Sequence, residues 1–323
     1  MELSRLEHTV SSRVRQYNVD EWMAEIHTFS GRWTVGKSTS PHIWGDVCKR
    51  EMGGLSTVRV ATDIDWVKRD FDDIRADFGE DLLLFLQLEG VCGIDQQGRQ
   101  TLIAPGDCAL VDMGIPSKFH FNGQFSNHLC IHLPRQLLTG KIGQKLDMGQ
   151  RLPAEDPMAL MLRALVLKLE QLSADDRRAM DIQLLLFETV RQVFGTEEKM
   201  DLSRLADTSA ERLEIVQDLI DQHLTHEYLT PRWLAKKMGI SLRTLQEDFT
   251  QMGITPTLKI RTRRLHLARD LMRVHKHKNG RMNIAEIAFQ TGFNDLSYFN
   301  RCFRKTFDCA PSDLAHAALK ASQ

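Results

Sequence analysis

The chain has 323 residues, with 42 Lys and Arg against 43 Asp and Glu and a formal net charge of −1 at pH 7. That length suggests two domains. No apolar run approaches the ~18 residues that a membrane span needs, and the opening MELSRLEHTV has no basic region leading into an apolar core, so we expect a cytoplasmic protein with no membrane partner.

The charge is unevenly spread. From Ala210 onward there are 18 Lys and Arg against 12 Asp and Glu, a surplus of six, which leaves 24 against 31 for residues 1–209. A basic last third beside an acidic remainder fits one domain held against a polyanion and another that is not. The six cysteines, Cys48, Cys92, Cys108, Cys130, Cys302 and Cys309, form no CxxC pair and no Cys/His ligand spacing. They read as reduced structural thiols, the alternative being a redox switch among Cys92, Cys108 and Cys130 in or beside the strands.

Taken in order, residues 4–30 show short helical stripes, Leu3, Leu6, Val10 and Val14 and then Trp22, Ile26 and Phe29. From Gly31 the pattern changes to short strands: 32–36, 54–61, 81–90, 91–95, 99–104, 108–113, 118–121 and 128–133, separated by Gly, Asp, Asn and Pro turns such as Pro105-Gly106-Asp107. Many short strands predict a β-sandwich or barrel. Trp33, Trp44, Trp66, Phe85 and Phe119 are candidates to line an apolar ligand cavity inside it. His120, His128 and His132 are the candidates for a metal site, with His128 and His132 on one strand face. Such a site needs three or four converging ligands, and LLLFLQLEGVCG in the first barrel strands carries no histidine. No metal and no cofactor is therefore expected.

After Pro134 the period becomes helical. Met158, Leu162, Leu165, Leu169 and Leu172 form one stripe, and Ile182, Leu185, Leu186, Val190, Val193 and Phe194 a second, parted by Ser173-Ala174-Asp175. So apolar a hairpin needs a partner surface, either the strands of its own chain, a second subunit or both. Residues 195–210 lack an apolar period and read as a linker between a domain of residues 1–194 and one of residues 211–323.

In the last third, Leu213, Val216, Ile220 and Leu224 mark an opening helix. Pro231 starts the next, because proline in the first turn loses no hydrogen bond. Trp233, Leu234 and Met238, then Gly239, then Ser241 with Leu245 and Phe249 describe helix, turn and capped helix. Leu242, Arg243, Gln246 and Glu247 then face outward. Ile260, Arg264, Leu265, Ala268 and Leu271 form a connecting helix whose Lys259, Arg261, Arg263 and Arg264 either touch phosphates or stay solvated or salt-bridged at the surface. Residues 275–281 read as a basic loop. Ile284, Ile287 and Ala288, a Thr291-Gly292 break, and Leu296, Phe299, Phe303 and Phe307 repeat the helix-turn-helix arrangement. Its second helix carries Ser297, Asn300, Arg301, Arg304 and Lys305 outward, which supplies base-edge donors and phosphate charge.

The run I-A-E-I-A-x-x-x-G-F-x-D-x-S-Y-F-x-R-x-F-R-K-x-F from Ile284, followed by Pro311, resembles the signature of the AraC/XylS family of transcriptional regulators. In the first module Ser241, Arg243, Leu245 and Phe249 match the family pattern, but Glu247 stands where arginine is common. Glutamate repels phosphate, yet it can accept from the cytosine amino group. After Pro311 the family often continues with an aromatic and an arginine, where this chain has Leu314-Ala315. Residues 93–112, GIDQQGRQTLIAPGDCALVD, and 128–138, HLCIHLPRQLL, resemble the cupin-like sensor of this family, in particular the branch that includes the phenylethylamine-responsive activator FeaR.

The resemblance implies an α+β chain, with an N-terminal cupin-like β-barrel and a helical dimerisation hairpin ahead of an all-α double helix-turn-helix domain. It implies a homodimeric, ligand-responsive activator, no enzyme, that binds double-stranded promoter DNA and contacts RNA polymerase. The effector would be a small aromatic or amine compound whose catabolic genes it controls. The alternative is a metal-dependent cupin enzyme fused to a DNA-binding module.

Overall fold

The computed structural model describes residues 14–36, 42–139, 145–173, 176–196, 208–276 and 283–314. Leu3, Leu6 and Val10, Ala174-Asp175, linker positions 197–207, most of the basic stretch 275–281 and Ala315 lie outside them. The described residues group into two compact units, one drawn from Met1–Leu133 with Leu146–Thr196, the other from Pro134–Lys145 with Glu197–Gln323. Pro134–Lys145, read from sequence as part of the first half, thus groups with the second unit.

The first unit opens with β1 (Arg15–Asn18) and α1 (Val19–Ser30), whose Asn18 side chain caps the Asp20 amide. It continues through β2 (Thr34–Val35), β3 (His42–Met52), β4 (Leu55–Thr62), β5 (Trp66–Arg69), α2 (Phe71–Asp77), β6 (Leu82–Glu89), β7 (Cys92–Gln96), β8 (Arg99–Ile103), β9 (Cys108–Asp112), β10 (Ser117–His120) and β11 (Ser126–Leu133). The chain then forms α3 (Arg135–Thr139) in the second unit and returns at β12 (Lys145–Leu146), β13 (Arg151–Leu152), α4 (Pro157–Glu170), α5 (Arg177–Phe194) and β14 (Gly195–Thr196).

Besides the short pairing of β12 with β14, two larger antiparallel sheets result, in the orders β1-β3-β4-β11-β6-β9-β13 and β2-β5-β10-β7-β8. They share one core. Val58, Val60, Leu83, Phe85, Val111 and Cys130 of the first sheet belong to the same buried cluster as Val67, Ile94, Ile103 and Phe119 of the second, with Trp22 and Ile26 of α1. β6 is buried from Leu82 to Leu88 because β11 and β9 flank it on both edges, which is why it reads as a continuous apolar run.

Several elements were not legible, β1, β3, β5, α2 and α3 among them. β3 buries Ile43, Gly45 and Val47 in alternation, but its Gly45-Asp46 pair and its Lys49-Arg50-Glu51 end resemble turn residues. β1 and α2 are short, and α2 owes its start to a capping box at Asp70 and Asp73.

The helical hairpin packs on the strands of its own unit. Leu162, Val166 and Leu169 of α4 and Leu186, Val190 and Phe194 of α5 are buried. The Arg163 guanidinium donates to the carbonyls of Gly106 and Ala154, and the Gln183 amide donates to the Gly53 carbonyl. A side chain at Gly53, where φ is +55°, would meet Leu169 at 2.6 Å. Leu160, Met161, Leu184 and Leu185 stay exposed on the two helices.

The second unit carries α6 (Ser209–His223), α7 (Pro231–Lys237), α8 (Leu242–Gln251), α9 (Pro256–Lys276), α10 (Ile284–Gln290) and α11 (Leu296–Phe307). Its second half is built around Leu265, Ala268 and Met272 of α9, Ile287 and Ala288 of α10, Phe293, and Phe299 and Phe303 of α11. Successive phenyl rings from Phe293 to Phe299, Phe303 and Phe307 lie 5.1, 5.5 and 4.7 Å apart. Each fully buried side chain of this size contributes about 1.5–3 kcal/mol by leaving water.

Candidate nucleic-acid interface and apolar cavity

Both modules of the second unit use the same local devices. Thr230 caps α7 and Ser241 caps α8, the Ser241 hydroxyl accepting from the Thr244 amide at 3.0 Å. Asn283 caps α10 and Asp295 caps α11, the carboxylate accepting from the Tyr298 amide at 2.9 Å. The turns pass through Gly239 and Gly292, both at positive φ, which favours glycine.

On α8, Leu245 and Phe249 are buried and Arg243, Gln246 and Glu247 are exposed, with Leu242 partly covered. On α11, Phe299, Cys302 and Phe303 face the core and Ser297, Asn300, Arg301, Arg304 and Lys305 are all exposed. The two outward faces differ in charge. Arg243 Nε donates to Glu247 Oε1 at 2.8 Å, so the α8 face carries a paired cation. On α11 the Arg301 guanidinium sits over the Tyr298 ring at 5.5 Å, and Arg261 Nη1 donates to the Tyr298 hydroxyl at 3.0 Å.

The connecting helix α9 corrects the expected phosphate contacts. Lys259 is 2% exposed and Arg263 1% exposed, so neither cation reaches a ligand surface. Arg263 donates to Asp221 Oδ1 at 2.5 Å and to the Gln217 carbonyl at 2.9 Å. Arg135 and Gln136 of α3 donate to the same Asp221 carboxylate, at 3.4 and 2.9 Å. Arg264 donates to the carbonyls of Leu224, His226 and Gly292, each at 2.9 Å. A Cβ at Gly292 would meet that guanidinium at 2.8 Å. These cations hold α9 against α6 and the second turn. A buried charge survives only with such partners, so a basic helix can be a strut and not a phosphate contact.

The first unit holds a cavity of about 40 Å³ between its sheets and α1, lined by Trp22, Ile26, Ser30, Trp33, Val60, Val67, Leu83, Phe119, Phe121, His128 and Cys130. Of the five aromatic residues expected there, Trp33 and Phe119 line it, their rings 5.4 Å apart and edge to face. Phe85 lies behind the wall, 5.5 Å from Phe119 and stacked on His128 at 4.7 Å. Trp44 and Trp66 do not line it. Trp44 is 54% exposed, and strand parity turns Trp66 away because its neighbour Val67 faces inward. On that outer face the Lys118 ammonium lies 4.5 Å from the Trp66 ring centroid.

Parity sets His120 apart from His128, whereas His132 shares the His128 face of β11 four residues further along. His128 is inside, its imidazole also stacked with Phe121 at 5.6 Å. His120 neighbours the inward Phe119 and pairs with Trp66 across the strands, and His132 Nδ1 lies 3.5 Å from Asp81. Among the described residues no three His, Cys, Asp or Glu side chains are grouped to hold a metal. Burial pushes the His128 imidazole down to about 3 and the Cys130 thiol up to about 12, so both are neutral at pH 7. Trp22, Phe121, His128 and Cys130 were not assigned to the cavity from sequence. The usable signal was the even spacing of His128 and Cys130 on a strand, which puts both on one face.

Residues 42–192 match the AraC-binding-like domain and residues 234–317 the helix-turn-helix domain. The transcriptional activator NphR of Rhodococcus sp. is 26% identical over 272 residues, covering 83% of this chain and 78% of that protein. The chain belongs to the AraC family of DNA-binding transcription regulators.

The transcriptional activator RhrA of Rhizobium meliloti (strain 1021) is 33% identical over 115 residues, or 36% of each chain. The solved AraC-like transcriptional activator CuxR overlays with a TM-score of 0.48 at 16% identity, over 78% of this chain and 93% of that one. The helix-turn-helix match spans α8 and α11, and the cavity lies in the unit matched by the AraC-binding-like domain. Among the described residues no helix is long and apolar enough to cross a membrane.

Proposed function

We propose that this AraC-family protein is a ligand-responsive activator. In this reading residues 1–194 hold a cupin-like sensor, residues 195–210 the linker and residues 211–323 the reader of double-stranded promoter DNA. Base and phosphate contacts come from Arg243 and Gln246 on α8 and from Ser297, Asn300, Arg301, Arg304 and Lys305 on α11, where Glu247 tempers the α8 face. The observation that carries this reading is the paired presentation of α8 and α11, each capped, core-anchored by phenylalanine and solvent-facing along its polar side. The 21-residue α9 between them is about 31 Å long at 1.5 Å per residue, close to the ~34 Å repeat of the major groove.

Occupation of the cavity between the sheets would shift the population of DNA-binding arrangements, and with it contact with RNA polymerase, at catabolic promoters in the cytoplasm. The exposed Leu160, Met161, Leu184 and Leu185 on α4 and α5 support a homodimer formed through the hairpin. Fluorescence anisotropy of the full chain on DNA from upstream of its own and neighbouring genes tests the reading. Saturable, salt-sensitive binding to one segment at nanomolar protein is expected. Equal affinity for all segments would overturn it.

A further inference from the structure

The two helix-turn-helix modules of the second unit carry their exposed charge on different helices. Counting back from the glycine turns, Gly239 and Gly292, Arg232 and Lys236 of α7 stand where α10 has Ala285 and Phe289. α7 exposes Arg232, Lys236 and Lys237 and no acidic side chain, whereas α10 exposes Glu286 and no cation. The second helices reverse this. Counting from their caps, Ser241 and Asp295, the exposed Glu247, Thr250 and Gln251 of α8 stand where α11 exposes Arg301, Arg304 and Lys305. The exposed cation of α8, Arg243, is ion-paired to Glu247, so that face is electrically neutral.

On α7 the cations fall on two stripes. Leu234 and Ala235 are buried, and Arg232 and Lys236, one turn apart, lie on the side of the helix away from them. Neither is paired with a carboxylate among the described residues. Lys237 belongs to the next stripe, where its ammonium lies 5.5 Å from the centroid of the Trp233 ring and His223 of α6 packs edge to face on the same side chain at 4.8 Å. The helix is firmly placed. Thr230 caps it, the Ile240 amide donates to the Ala235 carbonyl at 3.0 Å, and Arg264 ties the Leu224 and His226 carbonyls ahead of it to the Gly292 carbonyl of the second module. Two fixed, unneutralised cations on the outer side of such a helix suit a polyanion, because the first helix of a module crosses the DNA backbone when the second enters the major groove. Contacts of that kind set register without reading sequence.

We infer that Arg232 and Lys236 are DNA-phosphate contacts that dock the first module, and that this module divides the work between its helices, α7 supplying charge and α8 a neutral face for base edges, while α11 supplies both in the second module. The inference rests on the DNA-binding reading of the second unit and adds to it a helix, α7, outside the two that face the bases. Lys237, held beside Trp233, is not one of these contacts.

Fluorescence anisotropy of the full chain tests this on its promoter segment and on an unrelated duplex of the same length, between about 50 and 200 mM salt. Arg232→Gln and Lys236→Gln are each expected to make the slope of log K against log salt shallower by about 0.9, one phosphate contact, and to weaken binding to both duplexes by the same factor. Arg232→Lys, which keeps the charge, should keep the slope, and Lys237→Gln, which removes the same charge from the other stripe, should leave it unchanged. An equal loss in Lys237→Gln overturns the inference in favour of a general effect of net charge. A changed ratio between the two duplexes overturns it in favour of base contacts. Lost promoter activation with the slope intact in Arg232→Gln and Lys236→Gln overturns it in favour of an acidic protein partner. A parent without site selectivity sinks the DNA-binding reading and this inference with it, whereas a selective parent whose slope moves in neither variant sinks this inference alone.

Discussion

Arg243 and Glu247 lie one helical turn apart on α8 and are ion-paired at 2.8 Å, with their side chains 87% and 60% exposed. An exposed pair of this kind contributes little to stability. Its effect is on availability, because it occupies the cation that α8 would otherwise present to DNA. Glu247→Gln should therefore tighten binding to all promoter fragments and steepen the dependence of log K on log salt by about 0.9, one phosphate contact. Anisotropy titrations between 50 and 200 mM salt give both quantities. If binding instead weakens at a single C·G position, Glu247 reads cytosine.

Arg301 on α11 lies over the Tyr298 ring and has no acidic partner among the described residues. Arg301→Ala is expected to weaken specific binding by about 1–3 kcal/mol and to relax preference at one base pair, as loss of a bidentate guanine contact does. Competition titrations against singly substituted sites measure this. A uniform loss on every sequence would mark Arg301 as a phosphate contact.

In the sensing unit the fully buried Arg69 guanidinium donates to Asp77, to the Arg32 carbonyl at 2.7 Å and to the Met113 carbonyl at 3.0 Å. Asp77→Ala leaves that cation without its counter-charge and should cost about 3–5 kcal/mol. Urea unfolding of the full chain followed by tryptophan fluorescence reads the loss as a lower midpoint for the sensing unit. An unchanged midpoint would mean that the two carbonyls suffice.

Asp218 on α6 makes stability depend on pH. Burial pushes its carboxyl up to about 7, with Asp221 and Glu214 adding to the rise and Lys145 and Arg263 opposing it. Between the ordinary value of 3.8 and about 7 the folded chain holds a proton that the unfolded chain releases, so stability falls as pH rises through that window. Asp218→Asn should remove this slope and raise the midpoint at pH 8 relative to the parent. His128 acts with the opposite sign. Its imidazole is pushed down to about 3, so the unfolded chain takes up a proton that the folded chain refuses as pH falls below 6.5, and His128→Phe should soften the loss of stability in acid. Denaturant midpoints at pH 5 and pH 8 separate the two.

The helices α8 and α11 were legible residue by residue. A 3.6-residue period, a capping Ser or Asp and a glycine turn are local signals, and the side chains expected outward on α8 and α11 are exposed or partly covered, Leu242 being the partly covered one. The strands of the sensing unit were mostly legible for the same reason, the exceptions being β1, β3 and the short β5, where edge position or turn-like residues blur the period. What composition suggested wrongly was the role of α9. Lys259, Arg263 and Arg264 look like phosphate contacts in a list of charges, but two are buried and the third is spent on three carbonyls.

By itself the sequence determined the double helix-turn-helix, its polar faces and its family, because those depend on residues within about 30 positions of one another. Only the tertiary structure decided which charges are free and which aromatics meet. Trp22, Phe119 and His128 come from a helix and two strands more than 100 residues apart in the extreme, and strand pairing alone sets whether Val67 or Trp66 faces the cavity. A one-residue change of register inverts every such choice, so the cavity and its unsatisfied histidine belong to the folded chain and not to any segment of it.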